Sequence, residues 1–172
     1  MANQAEDAKD GTSKDVDRFR QILSSVPSGV SVVTALDDGE PVGITMASLI
    51  MVSTEPLLVG FLPGVSSKTF TRIRQSGAFC VNILTQGQEN VSNTFARPGT
   101  DKFANLPWRP APKTGSPLLD GAAAWIDCRL TTVYEPGNHF IALGEALAFD
   151  ASDEELPLVF HRGRYAGLKT DK

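Results

Sequence analysis

The 172-residue chain predicts a mainly β fold with short helices, an antiparallel Greek-key barrel. Three observations point there. Six or seven apolar, β-branched stretches follow one another without the regular helical crossovers that a parallel sheet needs. Tight-turn signals, Asp38-Gly39 and Pro136-Gly137-Asn138, join neighbouring stretches. No GxGxxG follows a strand, so the usual dinucleotide-binding fingerprint is absent.

The elements are justified in order. Residues 1–14 are polar and partly acidic and read as a disordered tail, neither signal nor transit peptide. Val16, Phe19, Ile22, Leu23 and Val26 recur at helical spacing, which predicts an amphipathic helix over Asp15–Ser25, ended by Pro27-Ser28-Gly29. Val30–Leu36 is a strand, and Asp38-Gly39 turns it into a second that runs from Val42, bends at Ala47-Ser48 and continues to Val52. Leu57–Leu62 is a third. Ser66 is placed to cap a short helix, Lys68–Gln75, with Phe70 and Ile73 buried and Gly77 as its stop. Phe79–Leu84 is a strand and Glu89–Phe95 a short helix. Arg97–Pro117, rich in Pro and Gly, reads as a functional or dimer-contacting loop. Ala123–Tyr134 and His139–Phe149 form a long hairpin, and Leu158–His161 is a last strand before Arg162-Gly163-Arg164-Tyr165. The expected folded domain is 15–168, with 169–172 a short tail.

Composition bounds the function. A net charge of −4 argues against nucleic-acid binding, and no apolar run is long enough to span a bilayer as a helix. Cys80 and Cys128 sit apart in apolar runs and read as buried thiols of a cytoplasmic chain. No CxxC or HxxxH spacing offers a metal site. No Ser-His-Asp order or carboxylate pair stands out, and Asp127 beside Cys128 is isolated.

Two stretches offer ligand chemistry. Thr45-Met46-Ala47-Ser48 places small and hydroxyl-bearing residues in an apolar strand, where they either meet the polar edge of a ring ligand or fill space and hydrogen-bond locally. Ser66-Ser67-Lys68-Thr69 gathers three hydroxyls and a cation at a helix start, a phosphate cradle or an ordinary cap. Together they suit a flavin. His139, just past a Gly turn, could donate to a carboxamide or move a proton; His161 ends the last strand.

The combined pattern resembles the short-chain flavin reductase family, the reductase components of two-component flavin-dependent monooxygenases. The stretches that carry the likeness are Pro27–Thr34, Gly43–Ser48 with Val52-Ser53, Ser66–Thr69, Phe79–Leu84, Gly137-Asn138-His139 leading into Ile141–Glu145, and Phe160–Tyr165. The resemblance implies a split β-barrel flavin-binding fold, a homodimer, and reduction of FAD or FMN by NADH or NADPH, the reduced flavin leaving for a partner monooxygenase by diffusion. It implies that Thr45, Met46, Ala47 and Ser48 line the isoalloxazine and that Ser66, Ser67, Lys68 and Thr69 take the flavin phosphate. Phe61, Leu62 and Pro63 would wall the ring, Asn82 would lie beneath the site, and Phe95, Ala96 and Arg97 would touch the flavin's far end. His139 would contact the nicotinamide, with Phe160, His161, Arg162, Gly163 and Tyr165 seating the pyridine nucleotide. The family turn often reads Gly-Asp-His; Asn138 here brings no negative charge to His139. FAD is favoured because the long Arg97–Pro117 loop has room for an adenylate, and NADH is favoured over NADPH. The alternatives are a flavin-storage protein on the same barrel or a relative that binds haem or pyridoxal phosphate. For the latter, no strand lysine offers a Schiff base and His139 at a turn tip is a poor lone haem ligand.

Overall fold

A computed structural model describes residues 3–99, 101–152 and 155–169, with side chains described from residue 13 onward. The elements are α1 (Asn3–Leu23), β1 (Ser28–Gly29), β2 (Ser31–Asp37), β3 (Glu40–Met46), β4 (Ile50–Thr54) and β5 (Leu57–Phe61). Then come α2 (Lys68–Ser76), β6 (Ala78–Ile83), α3 (Glu89–Ala96), β7 (Trp108–Pro110) and β8 (Pro117–Leu119). β9 (Ala124–Tyr134), β10 (Ile141–Ala151), β11 (Val159–His161) and β12 (Arg164–Ala166) close the chain.

The stretch expected to run as one bent strand from Val42 to Val52 is two strands, and the break organises the fold. Seven strands form one sheet in the order β3-β2-β6-β9-β10-β5-β4, all pairs antiparallel. Its two edges, β3 and β4, are consecutive in sequence and joined only by residues 47–49. Four backbone steps reach at most about 14 Å, so the sheet must roll until its edges nearly meet. The rolled sheet is a barrel left open along one seam, the mainly β architecture expected.

Because side chains alternate along a strand, β2 serves two cores at once. Val33 and Ala35 pack with Phe61, Phe70, Ile73 and Phe79 inside the roll. Val32 faces the other way, with Leu84, Phe95, Phe103, Leu119 and Leu158 under α3 and the loops. Val30–Ala35 is therefore buried at every position, with Ser31 and Thr34 its only polar members. Phe61 sits edge-on to both Phe70 and Phe79, with centroids 5.8 and 5.2 Å apart.

Helix α1 begins at Asn3, well before the expected Asp15, and crosses most of the stretch expected to be disordered. Residues 1–2 of that expected tail, and 170–172 of the closing one, lie outside the described residues. The predicted apolar stripe is present but not buried: Val16, Phe19, Ile22, Leu23 and Val26 are all exposed. The expected loop 97–117 is also more structured than its composition suggests. β7 and β8 pair as a hairpin over the sheet. Thr34 Oγ1 donates to Pro117 O, and Asn82 Oδ1 accepts from Leu119 N. Buried Asp127 accepts from Lys113 N, Thr114 N and Thr114 Oγ1, so its isolation in sequence resolves into a purely structural anchor. No helix among the described residues is long and apolar enough to cross a membrane.

Candidate functional site

The seam is where the candidate residues gather. Ala47, Ser48 and Leu49 bridge the sheet edges and line a cleft of about 370 Å³ with Pro27–Ser31, Ile50 and Ile83. Ser31 Oγ donates to Met46 O at 3.2 Å. Ser48 Oγ accepts from Leu62 N at 2.9 Å, which ties the bridging segment to the chain leaving β5. Ser48 Oγ in turn donates to Met46 Sδ at 3.9 Å. Ala47 is exposed, so a flat ring can approach the backbone there without meeting a bulky side chain.

The helix start lies just beyond. Ser67, not the expected Ser66, is the N-cap of α2: its φ and ψ are −71° and 105°, and its Oγ accepts from Phe70 N. Ser66 is exposed. The amides of Lys68 and Thr69 open the helix and have no intrahelical carbonyl to donate to. With the dipole of a nine-residue helix behind them, these groups favour an anion. Arg72, one turn on, is engaged elsewhere, bridging Asp37 and Glu40 of the β2–β3 hairpin.

The His139 turn is held against this same loop. Gly64 and His139 form an antiparallel bridge, Phe140 N donates to Pro63 O at 2.8 Å, and Val65 N donates to Asn138 O at 3.2 Å. The imidazole is exposed. Its Nδ1 lies 2.8 Å from Asn138 Oδ1. An amide oxygen only accepts, so Nδ1 carries the proton and Nε2 is the nitrogen left for a ligand. Asn138 thus orients the ring without adding charge.

On the other flank, α3 packs against β3. Gly43 permits the approach: a Cβ there would stand 2.6 Å from the Phe95 ring. Thr45 Oγ1 donates to Ser92 O at 2.6 Å. Lys102 Nζ donates to Gly43 O and Phe95 O at 3.2 and 3.0 Å, joining strand to helix end. Burial pulls this ammonium below the usual lysine range. Lys102 also lines a cleft of about 690 Å³ with Lys68, Thr69, Gly99, Asp101 and Phe103, so the cleft opens directly from the start of α2.

The final segment is a hairpin. β11 and β12 pair through Arg162 and Gly163, both at positive φ (48° and 77°), as a two-residue turn requires. β1 adds to it, with Ser28 opposite Phe160. The ribbon therefore flanks the cleft that Ser28 and Ala47 share. Tyr165 Oη lies 2.9 Å from Ser92 Oγ and 3.0 Å from Asn93 Oδ1.

Four expected ligand contacts, Phe61, Pro63, Asn82 and Phe95, are buried. Phe61 and Phe95 are fully buried in the two cores, so neither ring is presented to a ligand. Asn82 is fully buried too, its amide donating to Val32 O, Thr34 Oγ1 and Pro117 O. They support the site from behind. Ala96 and Arg97 are exposed at the end of α3, two residues ahead of cleft-lining Gly99. Among the described residues no hydrogen bond joins the His139 turn to the β11–β12 hairpin. Ser92 and Lys102 were missed from sequence. A serine in a short helix and a lysine in a Pro-rich loop carry no local pattern; only the Thr45 and Phe95 contacts reveal them.

Comparison with known proteins fits this geometry. The family model for the flavin reductase like domain matches residues 23–169. Over 155 residues the chain is 41% identical to the reductase subunit of a flavin-dependent monooxygenase from Rhodococcus jostii, covering 90% of this chain and 79% of that one. A homologue of nitrilotriacetate monooxygenase component B from Mycobacterium thermoresistibile superposes with a TM-score of 0.88 at 38% identity, covering 92% and 89% of the two chains. The Streptomyces globisporus NADH:FAD oxidoreductase, solved with NAD and FAD fragments, superposes at 0.87 with 32% identity, covering 92% and 95%.

Proposed function

The chain belongs to the flavin reductase family, and on that premise we propose that it is an NADH-dependent flavin reductase whose reduced flavin serves a separate monooxygenase. The observation that carries the reading is the antiparallel bridge between Gly64 and His139. It sets a candidate nicotinamide contact against the loop that feeds the anion-binding start of α2.

When bound together, the pyridine nucleotide supplies a hydride and the flavin accepts it. The chain's own residues align and shield. Thr45–Ser48 offer a low wall for the flavin ring, with exposed Leu62 beside it. Ser66, Ser67, Lys68 and Thr69 hold the phosphate with hydroxyls, amides and one cation. His139 Nε2 meets the nicotinamide edge, and the β11–β12 hairpin, from Phe160 through Tyr165, seats the rest of the nucleotide. Alignment of two rings needs no strong acid or base.

FAD is the preferred flavin. The cleft beside Lys68 and Thr69 continues to Asp101–Ala104, and its volume of about 690 Å³ suits an adenylate beyond the first phosphate. A homodimer is supported by exposed apolar surface on α1 and on the β4–β5 edge, where Met51 is 76% exposed. A cytoplasmic setting is supported by two free, buried thiols, Cys80 and Cys128. Release of reduced flavin by diffusion accords with the exposure of Ala47, Ser66 and His139.

Steady-state assays with NADH or NADPH against FAD or FMN test the proposal. Flavin-dependent loss of the reduced-nicotinamide absorbance, greatest with NADH and FAD, is the expected result. No turnover with any of the four pairs contradicts it.

A further inference from the structure

Ser92 belongs to neither candidate ligand site, yet it touches both. It is fully buried on α3, between the strand that carries Thr45 and the hairpin that carries Tyr165. Its carbonyl accepts from Thr45 Oγ1, and its hydroxyl lies 2.9 Å from Tyr165 Oη. The phenol has one proton, and Asn93 Oδ1 at 3.0 Å can only accept. The consistent arrangement is a relay: Ser92 Oγ–H donates to the phenol oxygen, which donates to Asn93 Oδ1. Tyr165 is further fixed by its edge-on contact with Phe160, centroids 5.4 Å apart.

Helix α3 cannot easily slide on β3. The Gly43–Phe95 close approach and the Lys102 bridge from Gly43 O to Phe95 O both hold it there. The hairpin is held by a separate set of contacts. β11 and β12 pair with each other and with β1, Leu158 N donates to Leu84 O just before them, and Arg162 N donates to Ser24 O at the turn. Phe160 and Tyr165 pack on the core around Val30 and Leu84. The Tyr165 hydroxyl points to α3, so its part in seating the nucleotide is to hold the hairpin in place.

We infer that Ser92 and Tyr165 are a positioning pair, which sets the distance between the nucleotide-seating hairpin and the flavin-lining strand through α3. The inference rests on the proposed assignment of those two surfaces. It makes Ser92 and Tyr165 residues of hydride-transfer geometry that never touch the reacting atoms.

The test uses Tyr165→Phe, Ser92→Ala and the double variant. Each single change is expected to raise KM for NADH about 3- to 10-fold, the scale of one buried hydrogen bond. The double variant should be no worse than the worse single, because both break one link. KM for flavin should stay unchanged. Additive effects, or a flavin KM that rises equally, overturn the inference. Hydrogen exchange reads the same pair without turnover: faster exchange confined to 159–166 in both single variants supports it, and wild-type exchange there overturns it. A wild-type protein that oxidises no NADH contradicts the proposed function instead, and the exchange result then judges the pair alone.

Discussion

Gly64 and His139 face each other across an antiparallel bridge, although 75 residues separate them in the chain. The pairing is enforced on both sides, by Phe140 N to Pro63 O and Val65 N to Asn138 O. The position of the imidazole is thus coupled to the entry of α2. His139→Ala is expected to raise KM for NADH more than KM for flavin, because the loop pairing uses main-chain atoms that alanine keeps. Asn138→Ala should have a smaller effect of the same kind, since it only frees the ring to rotate. Steady-state kinetics with each substrate varied in turn checks both. Loss of flavin binding alone would contradict the assignment.

The two serines before α2 should separate. Ser67 caps the helix, so Ser67→Ala is expected to lower stability by about 1 kcal/mol and to weaken flavin as well. Ser66→Ala should leave stability unchanged, because Ser66 is exposed and makes no cap. Denaturant melts beside flavin titration by fluorescence distinguish them.

Much of this was legible beforehand, for identifiable reasons. The hairpins Asp38-Gly39 and Pro136-Gly137-Asn138 are local, and so are the Gly77 stop of α2 and the apolar faces at Phe70 and Ile73. What was not legible is long-range. The break at Ala47–Leu49 sends β3 and β4 to opposite sheet edges, which no local pattern signals. The β7–β8 hairpin is held by Thr34 and Asn82, far from it in sequence, and by Asp127 on the strand that follows. At the site, Thr45 and Ser48 both have structural partners, so the local hydrogen-bonding reading of those hydroxyls is present in the fold.

Close approach makes Gly144 a sensitive position. A Cβ there would stand 2.3 Å from Phe79 Cζ in the main core. Gly144→Ala is expected to destabilise by about 1–3 kcal/mol, the usual range for overpacking. A denaturation midpoint within error of wild type would show that the core yields more easily than this packing implies.

The thiols set an alkaline limit. Burial pushes Cys80 up to about 12, with nearby Asp127 adding to the shift, and burial raises Cys128 as well. An unfolded thiol ionises near pH 9, so below that value the folded and unfolded chains hold equal protons at these sites. Above it the unfolded chain loses them first, and stability is expected to fall from about pH 9 toward 12. Replacing both cysteines by alanine should flatten that part of the pH profile. The native thiols should also resist alkylating reagents at neutral pH until the chain unfolds.

The central claim is that this chain reduces a flavin and then lets it go. Mixed anaerobically with FAD and one equivalent of NADH, the protein is expected to bleach the flavin with one NADH consumed per FAD, and the reduced flavin should pass a filter that retains the protein. Intact NADH, or reduced flavin held back with the protein, would contradict it.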